Sequence, residues 1–149
     1  MVDVVDAATR SRIMSAIRGK DTRIELQIRK GLFALGRRYR LHGRALPGRP
    51  DLVFARWSAV LFVHGCFWHG HDCPLFRLPA TRTEFWREKI ASNQARDARN
   101  IALLRTAGWR VGTVWECALR GRSSPQIASV IGKLDFWLTG YRPHIEVRL

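Results

Sequence analysis

The run Ala59-Val60-Leu61-Phe62-Val63 is continuously apolar and leads straight into His64-Gly65-Cys66-Phe67-Trp68-His69-Gly70-His71-Asp72-Cys73. An unbroken apolar run of this length predicts a central strand buried on both faces. The ten residues after it hold three of the chain's five histidines and two of its three cysteines. Thiolate and imidazole are the ligands zinc prefers, and imidazole is also the usual proton carrier near neutral pH. Phe67 and Trp68 lie among these groups, where tight ligand spacing leaves little room to bury them. A strand that ends in such a segment predicts a metal-organised active site that handles nucleic acid.

Cys66, His71 and Cys73 are close enough in sequence to wrap one ion, and a tetrahedral structural site needs a fourth ligand. Cys117 follows a second predicted strand, 109–115, and neighbouring strand ends bring distant residues together. That set uses every cysteine of the chain, and three cysteines is an odd number for a disulfide framework. Buried, unliganded thiols are the alternative. Four protein ligands leave no open coordination position, so the zinc would be structural and His69 would be free for another role.

The charge balance points to the partner. Twenty-six Lys+Arg against twelve Asp+Glu give a net charge of +14, and most of the cations are arginine. Guanidinium pairs with phosphate in a planar fork, so an arginine-rich surface favours a polyphosphate. A solvated basic surface is the bland alternative. The N-terminus has no basic region followed by an apolar core, and no apolar run is long enough to span a bilayer. A cytoplasmic protein without membrane contact is expected.

With 149 residues, 46% of them hydrophobic and 26% charged, the chain suits one globular domain. Residues 1–8 carry no pattern. Ile13, Met14 and Ile17 predict a helix over 9–18, and residues 1–20 together are expected to be a DNA-contacting arm or helix. Asp21 or Thr22 caps a second helix with Ile24, Ile28, Leu32 and Leu35 on one face, stopped by Gly36. Glu25 in its first turn reads as a favourable helix-dipole charge. A short edge strand at 37–41, a turn at Leu46–Pro50 and a strand Asp51–Phe54 follow. A long helix runs from Thr83 to about Ala107, carrying Phe85, Trp86, Ile90, Ile101 and Leu104 in a basic sequence. A last helix runs from Ser123 or Ser124 to about Leu138. The order implies an α/β fold, a mixed central sheet flanked by helices. Trp109, Trp115, Phe136 and Trp137 are assigned to the core.

Pro50-Asp51 on a short strand, followed by an apolar strand, has the outline of the PD-(D/E)xK nucleases. The second acid and the lysine of that pattern would fall at Phe62 and His64, and neither matches. Histidine is a poor ligand for Mg²⁺, so His64 and His69 are read as outer-shell or acid–base groups.

Longer strings carry a closer likeness. Leu46-Pro-Gly-Arg-Pro-Asp51, His64-Gly-Cys-Phe-Trp-His69, Pro79-Ala-Thr-Arg-Thr-Glu-Phe-Trp-Arg-Glu-Lys-Ile90 and Trp115-Glu-Cys-Ala-Leu-Arg-Gly121 closely resemble the very short patch repair (Vsr) DNA mismatch endonucleases. The resemblance runs from about Asp6 to about Leu138. It implies a restriction-endonuclease-like fold with a structural zinc, and Mg²⁺-dependent nicking of one strand beside a T:G mismatch in double-stranded DNA. It implies Asp51 as the Mg²⁺ carboxylate and the backbone carbonyl of Val63 as a second ligand. His69 would activate water, with Glu25 orienting it and His64 assisting near the phosphate. Cys66, His71, Cys73 and Cys117 match the zinc ligands, and Phe67, Trp68 and Trp86 match the aromatics that wedge into the base stack. The chain departs from the best-known members at Val63, where they carry threonine; a backbone ligand tolerates that change, and a hydroxyl role would make this chain slower.

Arg10, Arg12, Arg49, Arg82 and Arg87 are phosphate-contact candidates. A monomer suffices for a nick at an asymmetric lesion, and mismatch-repair proteins are further candidate partners. Two readings compete with the mismatch endonuclease: a PD-(D/E)xK-type nuclease of other specificity, and a zinc-stabilised DNA-binding protein without catalysis.

Overall fold

The computed structural model describes residues 22–149; the helix expected over 9–18, the arm over 1–20, Arg10 and Arg12 lie outside these residues. Helix α1 (Arg23–Ala34) starts at Thr22, whose hydroxyl accepts the Glu25 N–H at 3.2 Å. That bond satisfies one of the helix's orphan donors and fixes Glu25 in the first turn. Strands β1 (Arg40–Leu41), β2 (Leu52–Phe54) and β3 (Ala59–His64) form an antiparallel meander. A long connection leads to α2 (Thr83–Thr106), then β4 (Arg110–Trp115), α3 (Ser124–Leu138) and β5 (His144–Val147). The sheet order is β1-β2-β3-β4-β5, with β3, β4 and β5 parallel. A mixed α/β fold with helices on both faces of the sheet is therefore established among the described residues.

The expected elements are present within a residue or two at most ends. Strand β5 was not expected. Its signal is a short alternation, His144-Ile145-Glu146-Val147, in which Ile145 and Val147 turn inward while His144 and Glu146 stay exposed. Pro143 just before it reads as a loop residue, which hides so brief a strand.

Strand alternation divides the sheet's residues between two cores. Leu52, Phe54, Ala59, Leu61 and Val114 face α1 and α3, packing on Ile28, Leu32, Ile131 and Leu134. Val53, Val60, Phe62 and Val111 face α2, packing on Leu104 and Ile101. This division decides where the chemistry falls. His64 continues the Val60–Phe62 face, and its register partner Trp115 continues the Val111–Thr113 face, so both project towards α2. Gly112, one position from that face, is needed for close packing: a Cβ there would sit 2.9 Å from Leu61 and 3.1 Å from the Trp137 ring.

Two of the core assignments need correction. Phe136 is 80% exposed, because it lies on the outer face of α3 one position away from the buried Trp137. Trp115 is only half-buried and lies among histidines, as the sheet alternation requires. Trp137 is buried and Trp109 packs against the second core as expected. No helix of the described residues is long and apolar enough to cross a membrane.

Candidate functional site

Three clusters of ligand-type side chains lie where β2 begins, β3 and β4 end, and the 65–82 connection reaches α2. The first is Cys66, His71, Cys73 and Cys117, whose ligand atoms all lie within 4.8 Å of one another. The Sγ atoms of Cys66 and Cys117 each lie 3.5 Å from His71 Nδ1. Zn–S bonds of about 2.3 Å and Zn–N bonds of about 2.0 Å place tetrahedral ligands roughly 3.5–3.8 Å apart, so the spacing suits one ion. Burial pushes the Cys66 thiol up and the His71 imidazole down. Backbone N–H groups are aimed at the sulfurs: Cys117 N–H at Cys66 Sγ and Leu149 N–H at Cys117 Sγ, both 3.4 Å. Donors pointed at sulfur favour thiolate, the form a metal requires.

Gly70 lets the ligand loop reverse. It sits at φ +61, and a Cβ would come within 2.6 Å of Ile90 on α2. Glycine alone permits that turn at that distance.

The second cluster is His64, His69 and Asp97. His69 Nδ1 lies 2.5 Å from Asp97 Oδ2 on α2, a charge-assisted hydrogen-bond distance. An ionised carboxylate only accepts, so Nδ1 carries a proton and Nε2 is the nitrogen left to exchange one. His64 stacks on His69 with centroids 3.7 Å apart and planes 5° from parallel. Burial, with the neighbouring His69 charge, lowers His64 to about 3, so its ring is neutral at any working pH.

The third cluster is Glu25, His42 and Asp51. Asp51 Oδ2 accepts the Val63 N–H at 2.7 Å. The β2–β3 register pairs Leu52 with Leu61, so two steps further sets Val63 opposite Pro50, which has no N–H for the Val63 carbonyl. Burial first, and Glu25 after it, pushes the Asp51 carboxyl up to about 8 against the opposing pull of the Val63 bond. Two crowded carboxyl groups beside a backbone oxygen form a hard oxygen donor set of the kind that suits a divalent cation.

Glu25 lies against Asp51 and 3.9 Å from His42, and the carboxylate that meets His69 Nδ1 is Asp97. Asp97 escaped sequence reading because only the apolar residues of α2 were followed. Continued through its polar positions, the stripe Trp86, Ile90, Asn93, Asp97, Ile101, Leu104 is one helical face. Asn93 on that face is buried and donates to the Trp68 carbonyl at 2.9 Å, and Gln94 donates to the Gly70 carbonyl. One helix therefore fixes the ligand loop from outside.

The three expected aromatics are brought together. Phe67 and Trp68 lie 5.1 Å apart, and Trp86 lies 5.4 and 5.8 Å from them, all half-buried. Arg82 covers the Phe85 ring beside them, and Arg87 is paired with Glu84. Arg49 joins Asp51, His64, His69, Asp97 and Asn100 around a polar cavity of about 260 Å³. A carboxylate-paired imidazole, the Asp51 carboxyl and a guanidinium around one polar cavity are side chains from which metal-assisted hydrolysis of a phosphate ester can be built.

The comparisons with known proteins agree with that class. Residues 2–75 match the family model of DNA mismatch endonuclease Vsr. The chain is 50% identical over 140 residues to DNA mismatch endonuclease Vsr of Escherichia coli K12, covering 94% of this chain and 90% of that protein. It is 48% identical over 119 residues to the type II nicking enzyme V.XorIIP of Xanthomonas oryzae pv. oryzae, covering 80% and 88%. It is 41% identical over 123 residues to the type II nicking enzyme V.NmeAIP of Neisseria meningitidis serogroup A, covering 83% and 88%. The chain belongs to the Vsr family of DNA mismatch endonucleases.

Proposed function

We propose that the chain nicks one strand of double-stranded DNA beside a T:G mismatch, in the cytoplasm and as a monomer, by Mg²⁺-dependent hydrolysis of a phosphodiester on a restriction-endonuclease-like fold. The observation that carries this reading is the His69–Asp97 pair at 2.5 Å, set beside the Asp51 carboxyl on one polar cavity. In this reading His69 Nε2 takes the proton of the attacking water, and Asp97 steadies the imidazolium that results. His64, neutral and stacked beneath His69, holds that ring in plane and faces the phosphate. Asp51 and the Val63 carbonyl hold the Mg²⁺, with Glu25 adding negative charge beside Asp51. A Mg²⁺ held there would neutralise the negative charge that builds on the phosphate and its leaving oxygen. Arg49 lies at the same cavity as a phosphate contact.

Phe67, Trp68 and Trp86 are the wedge. Unstacking a base step costs a few kcal/mol, and less at a mispair, so insertion selects mismatched DNA. The test is single-turnover nicking on a panel of T:G, other mismatched and fully paired duplexes. Wild-type protein should cut the T:G duplex fastest. Trp68→Ala should reduce the preference for mismatched over paired DNA by about tenfold, since base–aromatic stacking is worth roughly 1–3 kcal/mol. Equal cutting of all duplexes by wild-type protein would assign a nuclease of other specificity, and tight T:G binding without any cut would assign a binding protein.

The Cys66, His71, Cys73 and Cys117 cluster is the structural zinc site in this reading, supported by its thiolate-rich donor set and by the N–H groups aimed at its sulfurs. Elemental analysis should give about one zinc per chain, and Cys73→Ser should lose most of it and unfold at lower urea. A fully folded, metal-free wild type would refute this assignment.

A further inference from the structure

Trp115 touches both the Cys/His cluster and the His64–His69 pair. Its ring lies parallel to His71 at 3.9 Å and 5°. The same indole meets His64 edge-on at 5.2 Å and His69 at 6.2 Å. The backbone between those histidines is a short irregular loop, held from outside by Asn93 and Gln94 of α2 through the Trp68 and Gly70 carbonyls. The indole is held in turn: its Nε1–H donates to Glu146 Oε1 of β5 at 2.9 Å. The residues just after Glu146 reach the same cluster, Arg148 through the Asp72 carbonyl and Leu149 through Cys117 Sγ. A tryptophan serving only as core would be turned into the apolar layer, whereas this one is half-buried and flanked by three imidazoles.

We propose that Trp115 is a positioning residue of the nicking reaction: locked by Glu146, its indole transmits the geometry of the Cys/His cluster to the His64–His69 pair. The proposal rests on the catalytic reading of His69 given above. It makes the metal cluster and strand β5 part of the catalytic alignment, so that a disturbance in either reaches the water-activating imidazole.

The test compares full-length wild type with Trp115→Phe, Trp115→Leu and Glu146→Ala. Four quantities are read: single-turnover nicking at saturating T:G duplex and Mg²⁺, duplex Kd with Ca²⁺ in place of Mg²⁺, zinc per chain, and histidine ring ¹H–¹³C signals. Misplacing a reacting group by about 1 Å costs about 10²-fold, so Trp115→Leu should slow nicking by 10- to 100-fold. Because the loss is in positioning, duplex Kd should stay within about threefold, with zinc retained. Trp115→Phe keeps an aromatic face and should recover most of the rate, while Glu146→Ala should fall between Phe and wild type. The His64 and His69 signals should move together with those of His71 in the Leu variant.

The proposal is overturned if Trp115→Leu nicks at the wild-type rate, if Phe is no better than Leu, or if zinc and duplex binding fall in step with the rate. It is equally overturned if the His71 signals move while those of His64 and His69 stay put. Should the Leu variant not fold, Glu146→Ala at its exposed position decides: a slower nick with shifted His64 and His69 signals supports the coupling, and wild-type behaviour in both removes it. A wild type that nicks no duplex refutes the catalytic reading alone, and the histidine signals then still decide whether Trp115 links the two clusters.

Discussion

Nicking by Asp51→Asn is expected to fall by about 10³ or more, with affinity for a T:G duplex little changed. A metal acting as Lewis acid on phosphoryl transfer supplies several kcal/mol, and each 1.36 kcal/mol is tenfold in rate, so removing about 4 kcal/mol gives that loss. Asn preserves the shape and still accepts the Val63 N–H, which at 2.7 Å fixes the carboxyl's orientation, so the change removes charge with little else. The titration of Asp51 supplies an independent check. Burial raises the folded carboxyl to about 8, whereas an unfolded aspartate titrates near its ordinary value of about 4. Between those limits the folded chain holds a proton that the unfolded chain releases. The contribution of this group is therefore fully present below about pH 4 and is lost as pH rises towards 8. Urea melts of metal-free wild type should show stability falling from pH 6 to pH 8 and Asp51→Asn should lack that part of the slope. Mg²⁺ competes with the same proton, so it should stabilise wild type more at pH 8 than at pH 6, and the variant at neither. Undiminished nicking by Asp51→Asn would refute the assignment of Asp51 as the cation ligand.

The parts of the molecule legible in its sequence are those written in local periodicity. Ala59–Val63 read as a buried strand because it is buried from both faces, and α1 read as a helix because Ile28 and Leu32 recur along one side. The Cys/His cluster was legible because three of its four members are close in sequence, and Cys117 followed from where a strand ends. What stayed hidden depends on which sheet face a residue takes and on pairings between distant segments. Trp115 looks like core until its register with His64 puts it on the α2 face. Asp97 looks like one more polar residue on a basic helix until the fold brings that helix turn against His69, 28 positions earlier. The contact of Glu25 with Asp51 stayed hidden for the same reason: its neighbours are set by how α1 packs, and a sequence carries no direct mark of that. Strand β5 is short and follows a proline, yet it supplies the carboxylate that holds Trp115.

The second large effect belongs to the His69–Asp97 pair. His69→Ala should lower single-turnover nicking by about 10²- to 10⁴-fold, the range a positioned general base contributes. Asp97→Asn should lower it by about 10²-fold, less than loss of the base itself, because the imidazole remains but its tautomer is no longer fixed. The reasoning turns on atoms: Nδ1 faces Asp97 at 2.5 Å, so only Nε2 is free to take a proton, and an amide at position 97 can present its NH₂ to Nδ1 and select the opposite tautomer. Asp97 also holds the charge that forms on His69 during the reaction. The double variant separates the two roles. If Asp97 acts only through His69, adding Asp97→Asn to His69→Ala should cost little more, because residues that work as a unit are not additive. Duplex binding in Ca²⁺ should be retained throughout, since neither side chain belongs to the aromatic wedge. Full additivity in the double variant, or an Asp97→Asn rate equal to wild type, would show that the 2.5 Å pair does not form the base and would return the search for it to His64 and the carboxylates beside Asp51.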